Sequence, residues 1–98
     1  MAAPGYIVIT FDVDDAEKMK AYGAAAGPTL APYGGELIVR GGRYENLEGS
    51  PARSRTAILR FPSYEQAKAW YDSEAYAGPL AMRLEATTGE GFLVEGAE

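Results

Sequence analysis

Residues 31–42 read APYGGELIVRGG, and this stretch decides the fold. It predicts a β-strand bounded on each side by a pair of glycines, with apolar side chains on both faces. Leu37 and Val39 share one face, whereas Ile38 points to the opposite face among charged neighbours. A strand of a small protein is apolar on its second face when something covers that face as well.

The composition predicts a single globular domain and restricts its partners. The 98 residues, of which 47% are hydrophobic and 23% charged, predict one domain over residues 1–98 with a thin core. Fourteen acidic against nine basic residues give a net charge of −5, which disfavours nucleic acid and an anionic membrane surface as partners. No segment approaches the ~20 apolar residues of a membrane helix, and no signal-peptide pattern is present. We therefore expect a soluble, cytoplasmic protein.

The chain contains neither cysteine nor histidine. This excludes disulfides and thiolate sites, and it removes the commonest general base near neutral pH and the commonest ligand of metals and haem. The acidic run DVDD at 12–15 lacks the spacing of a calcium loop, so we expect it to cap a helix. The sequence therefore predicts no metal site and no cofactor.

The predicted strands are spread along the whole chain. β-branched and aromatic residues predict strands at 5–13 and 55–61 and a last strand at 91–96. The strand in the opening stretch extends toward Leu47, and a turn-rich hairpin loop follows at 48–54.

Helices are predicted between these strands from capping residues and from helical spacing. Asp14 with Glu17, and Ser63 with Gln66, have the pattern of capping boxes, and Ser73 is placed to cap a further helical segment. The first helix carries apolar and aromatic residues at helical spacing: Met19, Tyr22, Ala26, Leu30 and Tyr33. The dipeptide Gly27-Pro28 interrupts this series, so we expect a kink or a restart with Pro28 in the first turn.

The order strand, helix, strand, strand, helix, strand is the split β-α-β pattern of a ferredoxin-like domain. It predicts an α+β fold with a four-stranded antiparallel sheet. Because both crossovers are right-handed, both helical segments are expected on one face of that sheet.

Apolar residues are predicted on both faces of the sheet. The face assigned to the helices collects Ile7, Ile9, Phe11, Leu37, Val39, Ala57, Leu59, Phe61 and Leu93. The opposite face, which we call the open face, collects the apolar residues Val8, Ile38, Ile58, Phe92 and Val94, interleaved with Glu36, Arg40 and Arg60. Scattered surface apolar residues are common, but a contiguous patch favours burial. We therefore predict a homodimer in which two open faces cover each other about a two-fold axis.

Three segments together resemble one known family. They are TLAPYGGELIVRGGRYENLEG at 29–49, FPSYEQAKAWYDSEAY at 61–76, and the later Arg83. They are similar to the thirteen-thirty family of domains of unknown function, and the resemblance covers nearly the whole chain. It implies membership of the dimeric α/β-barrel superfamily, with a ferredoxin-like fold and a sheet-to-sheet dimer. It implies no established reaction. The superfamily includes cofactor-free monooxygenases, lactone isomerases, stress-responsive barrels and haem proteins, and its haem branch depends on an axial histidine that this chain lacks.

Arg40 and Arg83 are the candidate ligand-binding cations. An arginine binds a carboxylate or an enolate through two parallel hydrogen bonds. Each also has an alternative, purely structural interpretation. Arg40 could pair with Glu36 or another acid while the adjacent glycines allow a bulge, and Arg83 could be a solvated helix charge with a buried stem.

The aromatic candidates are Tyr22, Tyr33, Trp70 and Tyr76. At helical spacing such residues most often belong to a core, but the polar tips of buried tyrosine and tryptophan need partners. So many of them in a small core predict a pocket with polar walls. We expect Tyr33 and Tyr76 to line it, and Tyr22 and Trp70 to donate to a ligand oxygen.

Two functions remain open from the sequence. In the first, each protomer binds a small carbonyl-bearing or acidic metabolite between helices and sheet, either as a binder or as a cofactor-independent enzyme of proton transfer or oxygenation. In the second, the homodimer is a non-catalytic binding or interaction module. The absence of histidine and cysteine weakens the case for an enzyme without excluding it, because the resemblance implies a superfamily whose members use tyrosine, tryptophan, arginine and water.

Overall fold

The computed structural model describes residues 3–49 and 53–97. Its elements follow the order β1 (Gly5–Val13), α1 (Ala16–Ala26), β2 (Glu36–Arg40), β3 (Arg55–Phe61), α2 (Tyr64–Tyr71), α3 (Glu74–Ala86) and β4 (Thr87–Glu95). All strand pairs are antiparallel in the order β2-β3-β1-β4, which confirms the ferredoxin-like α+β fold. Part of the predicted 48–54 loop lies outside the described residues. None of the helices within the described ranges combines the length and apolar character that a bilayer crossing needs.

The helices begin at side-chain caps, most of which the sequence predicts. Ser63 and Ser73 each accept a hydrogen bond from the backbone N–H three residues ahead, as predicted. The predicted cap at Asp14 is wrong by one residue, because the carboxylate of Asp15 is the one that accepts the helix N–H. Asp14 instead accepts a 2.6 Å hydrogen bond from the hydroxyl of Thr88, which joins the start of α1 to β4.

The chain ends α1 and starts a new helical turn at the proline, which is one of the two predicted outcomes. α1 ends at Ala26, and Pro28 lies in the first turn of a short 3₁₀ helix, Gly27–Thr29. A second 3₁₀ turn, Ala31–Tyr33, leads into β2.

The strand boundaries differ from the predicted ones at two places. β2 ends at Arg40 instead of continuing toward Leu47, because Gly41 and Gly42 have φ angles of 62° and 87°, outside the extended region. β4 begins at Thr87, ahead of the predicted start, because it pairs with β1 over the whole length of that strand.

A β-bulge in β2 changes which side chains face the helices. Leu37 pairs with Leu59, but the next pair is Val39 with Ile58, so the alternation shifts by one residue inside the strand. The prediction that placed Val39 on the helix-facing side is therefore wrong. Val39 lies with Ile58 on the open face.

The same bulge reverses the predicted position of Arg40. Arg40 pairs with Ala57, whose side chain packs against the core, so Arg40 belongs to the helix-facing side and not to the open face. The alternative ion pair between Arg40 and Glu36 does not form, because Glu36 lies 3.8 Å from the guanidinium of Arg60.

The core lies between the helices and the sheet. Among the described residues it consists of Ile7, Ile9, Phe11, Ala26, Leu59, Phe61, Ala67, Trp70 and Tyr76. The ring of Trp70 lies 3.9 Å from that of Tyr76 and 5.4 Å from that of Phe61, measured between centroids. Each such aromatic pair contributes about 0.5–1.5 kcal/mol beyond the burial of its area. Apart from Val39, the residues predicted for the helix-facing side are buried or packed against this core.

Two glycines of β4 provide a test of this packing. A Cβ added at Gly89 would overlap the backbone oxygen of Thr10, whereas a Cβ added at Gly91 would lie 3.6 Å from Ile9, an ordinary contact. We expect Gly89→Ala to lower the free energy of unfolding by about 1–3 kcal/mol and Gly91→Ala to change it by less than about 0.5 kcal/mol. Urea unfolding of both variants measures the difference, and equal stabilities would contradict the described register of β4.

Candidate functional site

Two cavities lie between the helices and the sheet. The first, which we call the α1 cavity, measures about 380 Å³ and is bounded by α1 and by strands β1, β2 and β3. The second, which we call the β4 cavity, measures about 360 Å³ and lies between β4 and the helices α2 and α3. Ile9 and Arg83 line both cavities. Arg83 of α3 therefore lies over strand β1, between the two spaces.

Small residues of α1 form much of the roof of the α1 cavity. Gly23, Ala24, Ala26 and Gly27 line it, and a Cβ added at Gly23 or Gly27 would meet no atom within 4 Å. The floor is the apolar side of the sheet, formed by Ile9, Phe11, Leu37, Ala57 and Leu59. This part of the roof, at the end of α1 and the start of the following 3₁₀ turn, is therefore built from residues without bulky side chains.

The charged residues that line the α1 cavity are all basic: Lys20, Arg40, Arg55 and Arg83. No aspartate or glutamate of the described residues lines it, although the chain has fourteen acidic against nine basic residues. Four of the five cations outside the cavity are paired with a carboxylate within 4 Å, namely Lys18, Arg53, Arg60 and Lys68, whereas the exposed Arg43 forms no such pair within the described residues. Within residues 3–49 and 53–97, none of the four cavity cations forms such a pair.

Arg83 is the most deeply buried of these cations, with 7% of its surface exposed. Its Nε donates a 3.3 Å hydrogen bond to the hydroxyl of Tyr76. No fully buried side-chain nitrogen of the described residues lacks a partner. The guanidinium also lies near the hydroxyl of Tyr22, whose pKa its charge lowers, and Arg83 borders the cavity space with no carboxylate beside it among the described residues. Burial lowers the pKa of Arg83, but the oxygens of Tyr76 and Tyr22 raise it, and the net direction is upward. Arg83 is therefore cationic.

A chain of hydrogen bonds connects Arg83 to a tyrosine at the cavity wall. The hydroxyls of Tyr22 and Tyr76 lie 2.8 Å apart, and either could be the donor. Tyr76 is fully buried, and the Tyr22 oxygen is the acceptor that the described residues offer to its hydrogen. A buried donor without an acceptor costs about 1–3 kcal/mol, so Tyr76 donates to Tyr22. The hydrogen of Tyr22 is then left for the α1 cavity, which Tyr22 lines.

Tyr22 is a donor and not a phenolate at neutral pH. Burial raises the pKa of its hydroxyl well above the ordinary value, and the contact with Tyr76 raises it further, although the charge of Arg83 opposes both effects. The wall of the α1 cavity therefore presents a hydroxyl donor beside a buried guanidinium.

The structure brings together four of the six predicted site residues. Arg40, Arg83, Trp70 and Tyr22 all line the α1 cavity. The prediction that Tyr76 lines the pocket is wrong, because Tyr76 lies one layer behind it, between Tyr22 and Arg83.

Two further predicted roles are also corrected. Tyr33 lines neither cavity; it packs against the core, and its backbone oxygen accepts a 3.3 Å hydrogen bond from the side chain of Gln66. The indole N–H of Trp70 is not available to a ligand, because it donates to the hydroxyl of Thr29 at 2.9 Å. Trp70 therefore contributes only its ring to the wall.

Lys20 and Arg55 are lining residues that the sequence did not identify. Arg55 carries a usable signal, since it has the same parity as Ala57, Leu59 and Phe61 on the helix-facing side of β3. A charge in register with an apolar face indicates a polar space on that side. Lys20 carries no comparable signal.

Apart from Arg83, which borders both cavities, the charged residues that line the β4 cavity are compensated. Its lining residues Lys68 and Glu90 pair with Asp72 and Arg53, at 2.9 and 2.7 Å. In the described residues, no three side chains of the histidine, cysteine, aspartate or glutamate type form a group that could ligate a metal ion. The α1 cavity is therefore the candidate site.

The raised pKa of Tyr22 predicts a loss of stability at high pH. In the unfolded chain this phenol ionises near pH ~10, whereas burial keeps it protonated to a higher pH in the folded protein. The stabilisation is complete below about pH 10 and decreases above it, by up to about 1.4 kcal/mol per pH unit. The free energy of unfolding is measured in urea at neutral and at alkaline pH. Between these two pH values Tyr22→Phe should lose less stability than the wild type loses. Tyr44→Phe, a replacement at an exposed position, should lose as much as the wild type. Equal losses in all three proteins would contradict the burial of Tyr22.

Several solved structures share the fold of this chain. A protein of unknown function from Rhodopseudomonas palustris superposes with a TM-score of 0.72 at 18% identity, over 97% of this chain and 82% of its own. SnoaB, a cofactor-independent oxygenase from Streptomyces nogalater, superposes with a TM-score of 0.64 at 11% identity, over 99% and 96% of the two chains. A conserved protein of unknown function from Bacteroides thetaiotaomicron gives a TM-score of 0.55 at 16% identity, over 97% and 99%. At these identities the likeness concerns the fold.

Among curated proteins, none is significantly similar in sequence to this chain. The family described as domain of unknown function (DUF1330) matches residues 4–97, which covers both cavities and every strand of the sheet. The chain belongs to this family.

Proposed function

We propose that the protein binds a small anionic metabolite in the α1 cavity, with an oxygen of the ligand bound to Arg83. The observation that supports this most directly is the burial of Arg83 without a carboxylate partner among the described residues. A desolvated cation without a counter-ion is unfavourable, and buried charges are normally paired or neutralised. A bound anion supplies that missing partner.

Tyr22 supports the same proposal as a second donor to the ligand. Its hydroxyl accepts from Tyr76, which in turn accepts from Arg83, so the hydrogen of Tyr22 is polarised toward the cavity. A guanidinium and a hydroxyl directed into one apolar space suit the oxygen of a carboxylate, an enolate or a phenolate. The apolar floor and the ring of Trp70 suit the carbon skeleton of such a molecule.

The lining also restricts any reaction. Of the described residues, no carboxylate lines the α1 cavity, and the chain has no histidine. The wall thus lacks a group that accepts a proton readily near neutral pH. The ligand is therefore proposed to enter as an anion that has already lost its proton.

Oxygenation is the second candidate function, and it uses the same site. An electron-rich enolate or phenolate can transfer an electron to dioxygen, and SnoaB, which shares the fold, is a cofactor-independent oxygenase. Consumption of dioxygen on addition of a bound ligand separates an enzyme of this kind from a binding module. Ligand binding without turnover favours the binding module.

Replacement of Arg83 tests the proposed binding. Thermal unfolding is followed with small carboxylates, keto acids, phenols and neutral lactones of similar size. A ligand at 100 times its Kd adds about 2.7 kcal/mol, which raises the Tm of a domain of this size by roughly 10–20 °C. We expect Arg83→Met to abolish the shifts caused by anions without lowering the Tm of the free protein, because no buried acid loses its partner.

Arg43→Met is the matched control, since Arg43 is exposed and lines neither cavity. This replacement removes one positive charge, as Arg83→Met does. Because Arg43 lies outside the site, the variant should keep the shifts in Tm that ligands cause. Shifts that persist in Arg83→Met, or that are as large with neutral lactones as with anions, would refute the proposal.

We also infer that two copies of the chain cover their open faces, as the sequence predicts. Ile38 and Phe92 are 47% and 57% exposed, and the bulge adds Val39 to the apolar residues of this face. The ion pair Glu36–Arg60 lies beside the patch, so a two-fold axis can place each charge near the opposite charge of the second copy. An apolar centre with self-complementary charges favours a second copy as the partner.

Sedimentation velocity at several concentrations tests the dimer. The wild type should sediment as a dimer, and Phe92→Glu should shift it to the monomer by introducing two buried charges per interface. Leu47→Glu is the control, because Leu47 is 82% exposed outside the sheet and its replacement adds the same charge. A wild type that remains monomeric at every concentration would exclude this interface.

A further inference from the structure

Three of the cavity cations form a group of their own at one end of the sheet. We call Lys20, Arg40 and Arg55 the basic rim. Arg40 is the last residue of β2 and Arg55 the first of β3, and Arg55 pairs with Phe11 near the end of β1. α1, which carries Lys20, starts just after that end of β1. The topology thus collects the basic rim at the carboxyl end of β1.

Two members of the basic rim are close neighbours on the same face. Arg40 pairs with Ala57, and Arg55 is two residues from Ala57 along β3. Such diagonal positions are roughly 7–8 Å apart, and like charges at this distance repel each other. In the described residues no carboxylate compensates them, although the protein as a whole is acidic. The arrangement favours an anion from outside the chain.

Arg83 is separate from the basic rim within the same cavity. It lies over β1, since Ile9 of β1 is the other residue that borders both cavities. β3 lies between β1 and β2 in the sheet, so the backbones that underlie Arg83 and Arg40 are roughly 9–10 Å apart. The α1 cavity therefore has two cationic positions, one buried and one at its edge, with apolar sheet between them.

We propose that the ligand of the α1 cavity is a dicarboxylic acid, with one carboxylate at Arg83 and the other at the basic rim. This inference rests on the proposed function and adds a second point of attachment to it. The apolar floor between the two positions suits the carbon chain or ring that joins the two carboxylates. Each rim contact is solvent-exposed and weakens with ionic strength, whereas the contact at Arg83 is buried and changes less.

Calorimetric titration of the full chain with two matched series tests the proposal. One series consists of the linear dicarboxylates from succinate to sebacate, and the other of the monocarboxylates of equal length. We expect one or two neighbouring lengths of dicarboxylate to bind at least tenfold more tightly than the corresponding monocarboxylate. Added salt should reduce that difference more than it reduces monocarboxylate binding.

Variants separate the two cationic positions. Arg55→Gln should weaken the preferred dicarboxylate at least tenfold more than it weakens the monocarboxylate of equal length. Arg83→Met should weaken both series, and Arg43→Gln, at an exposed position outside both cavities, should change neither.

The possible failures are distinguishable. Arg83-dependent binding of both series with equal affinity would overturn the rim as a carboxylate site and leave the proposed function intact. The same conclusion follows if Arg55→Gln weakens monocarboxylates as much as dicarboxylates. Binding that is unaffected by Arg83→Met, or no binding of any acid to the wild type, would overturn both.

Discussion

The guanidinium of Arg83 lies against an aromatic core, with one hydrogen bond to Tyr76 and no carboxylate beside it in the described chain. The rest of the candidate site depends on this burial. Tyr76 accepts from Arg83 and, as a buried donor, needs the oxygen of Tyr22 as its acceptor, which leaves the hydrogen of Tyr22 for the cavity. The packing of Trp70 on Tyr76 stabilises the core and so offsets part of the cost of burying one uncompensated charge. The unpaired charge of Arg83 thus lowers the stability of the fold, and the proposed ligand binding rests on the same charge.

The fold could be predicted from the sequence because local signals and alternation agree over most of it. Strand β3 and the caps at Ser63 and Ser73 lie where their patterns indicate. The bulge in β2 could not be predicted, since Glu36–Arg40 shows the same alternation of residue types with or without an extra residue in the pairing. Pairing with β3 decides it, and that is a tertiary contact. The end of β2 was open to prediction, because two consecutive glycines are typical of a strand terminus.

The candidate site was less accessible to prediction, for reasons that differ between residues. Arg83 could be named from the family resemblance, but its burial follows only from the packing of α3 over β1. Arg40 was assigned to the wrong face because of the bulge. Tyrosines at helical spacing look alike in the sequence, whereas the structure separates Tyr22 at the cavity wall from Tyr76 behind it. The basic rim combines residues from three elements, and such a cluster appears only once the register of the sheet is known.

The small residues that roof the α1 cavity have a consequence for its size. Because Gly23 and Gly27 have open space where a side chain would begin, single substitutions there can narrow the chamber in steps. None of these changes touches the sheet, the aromatic stack or Arg83. The volume of the chamber can therefore change while the surroundings of Arg83 stay the same. The residues that set the size of the chamber and the residue that supplies its buried charge thus lie on different elements, α1 with the turn after it and α3.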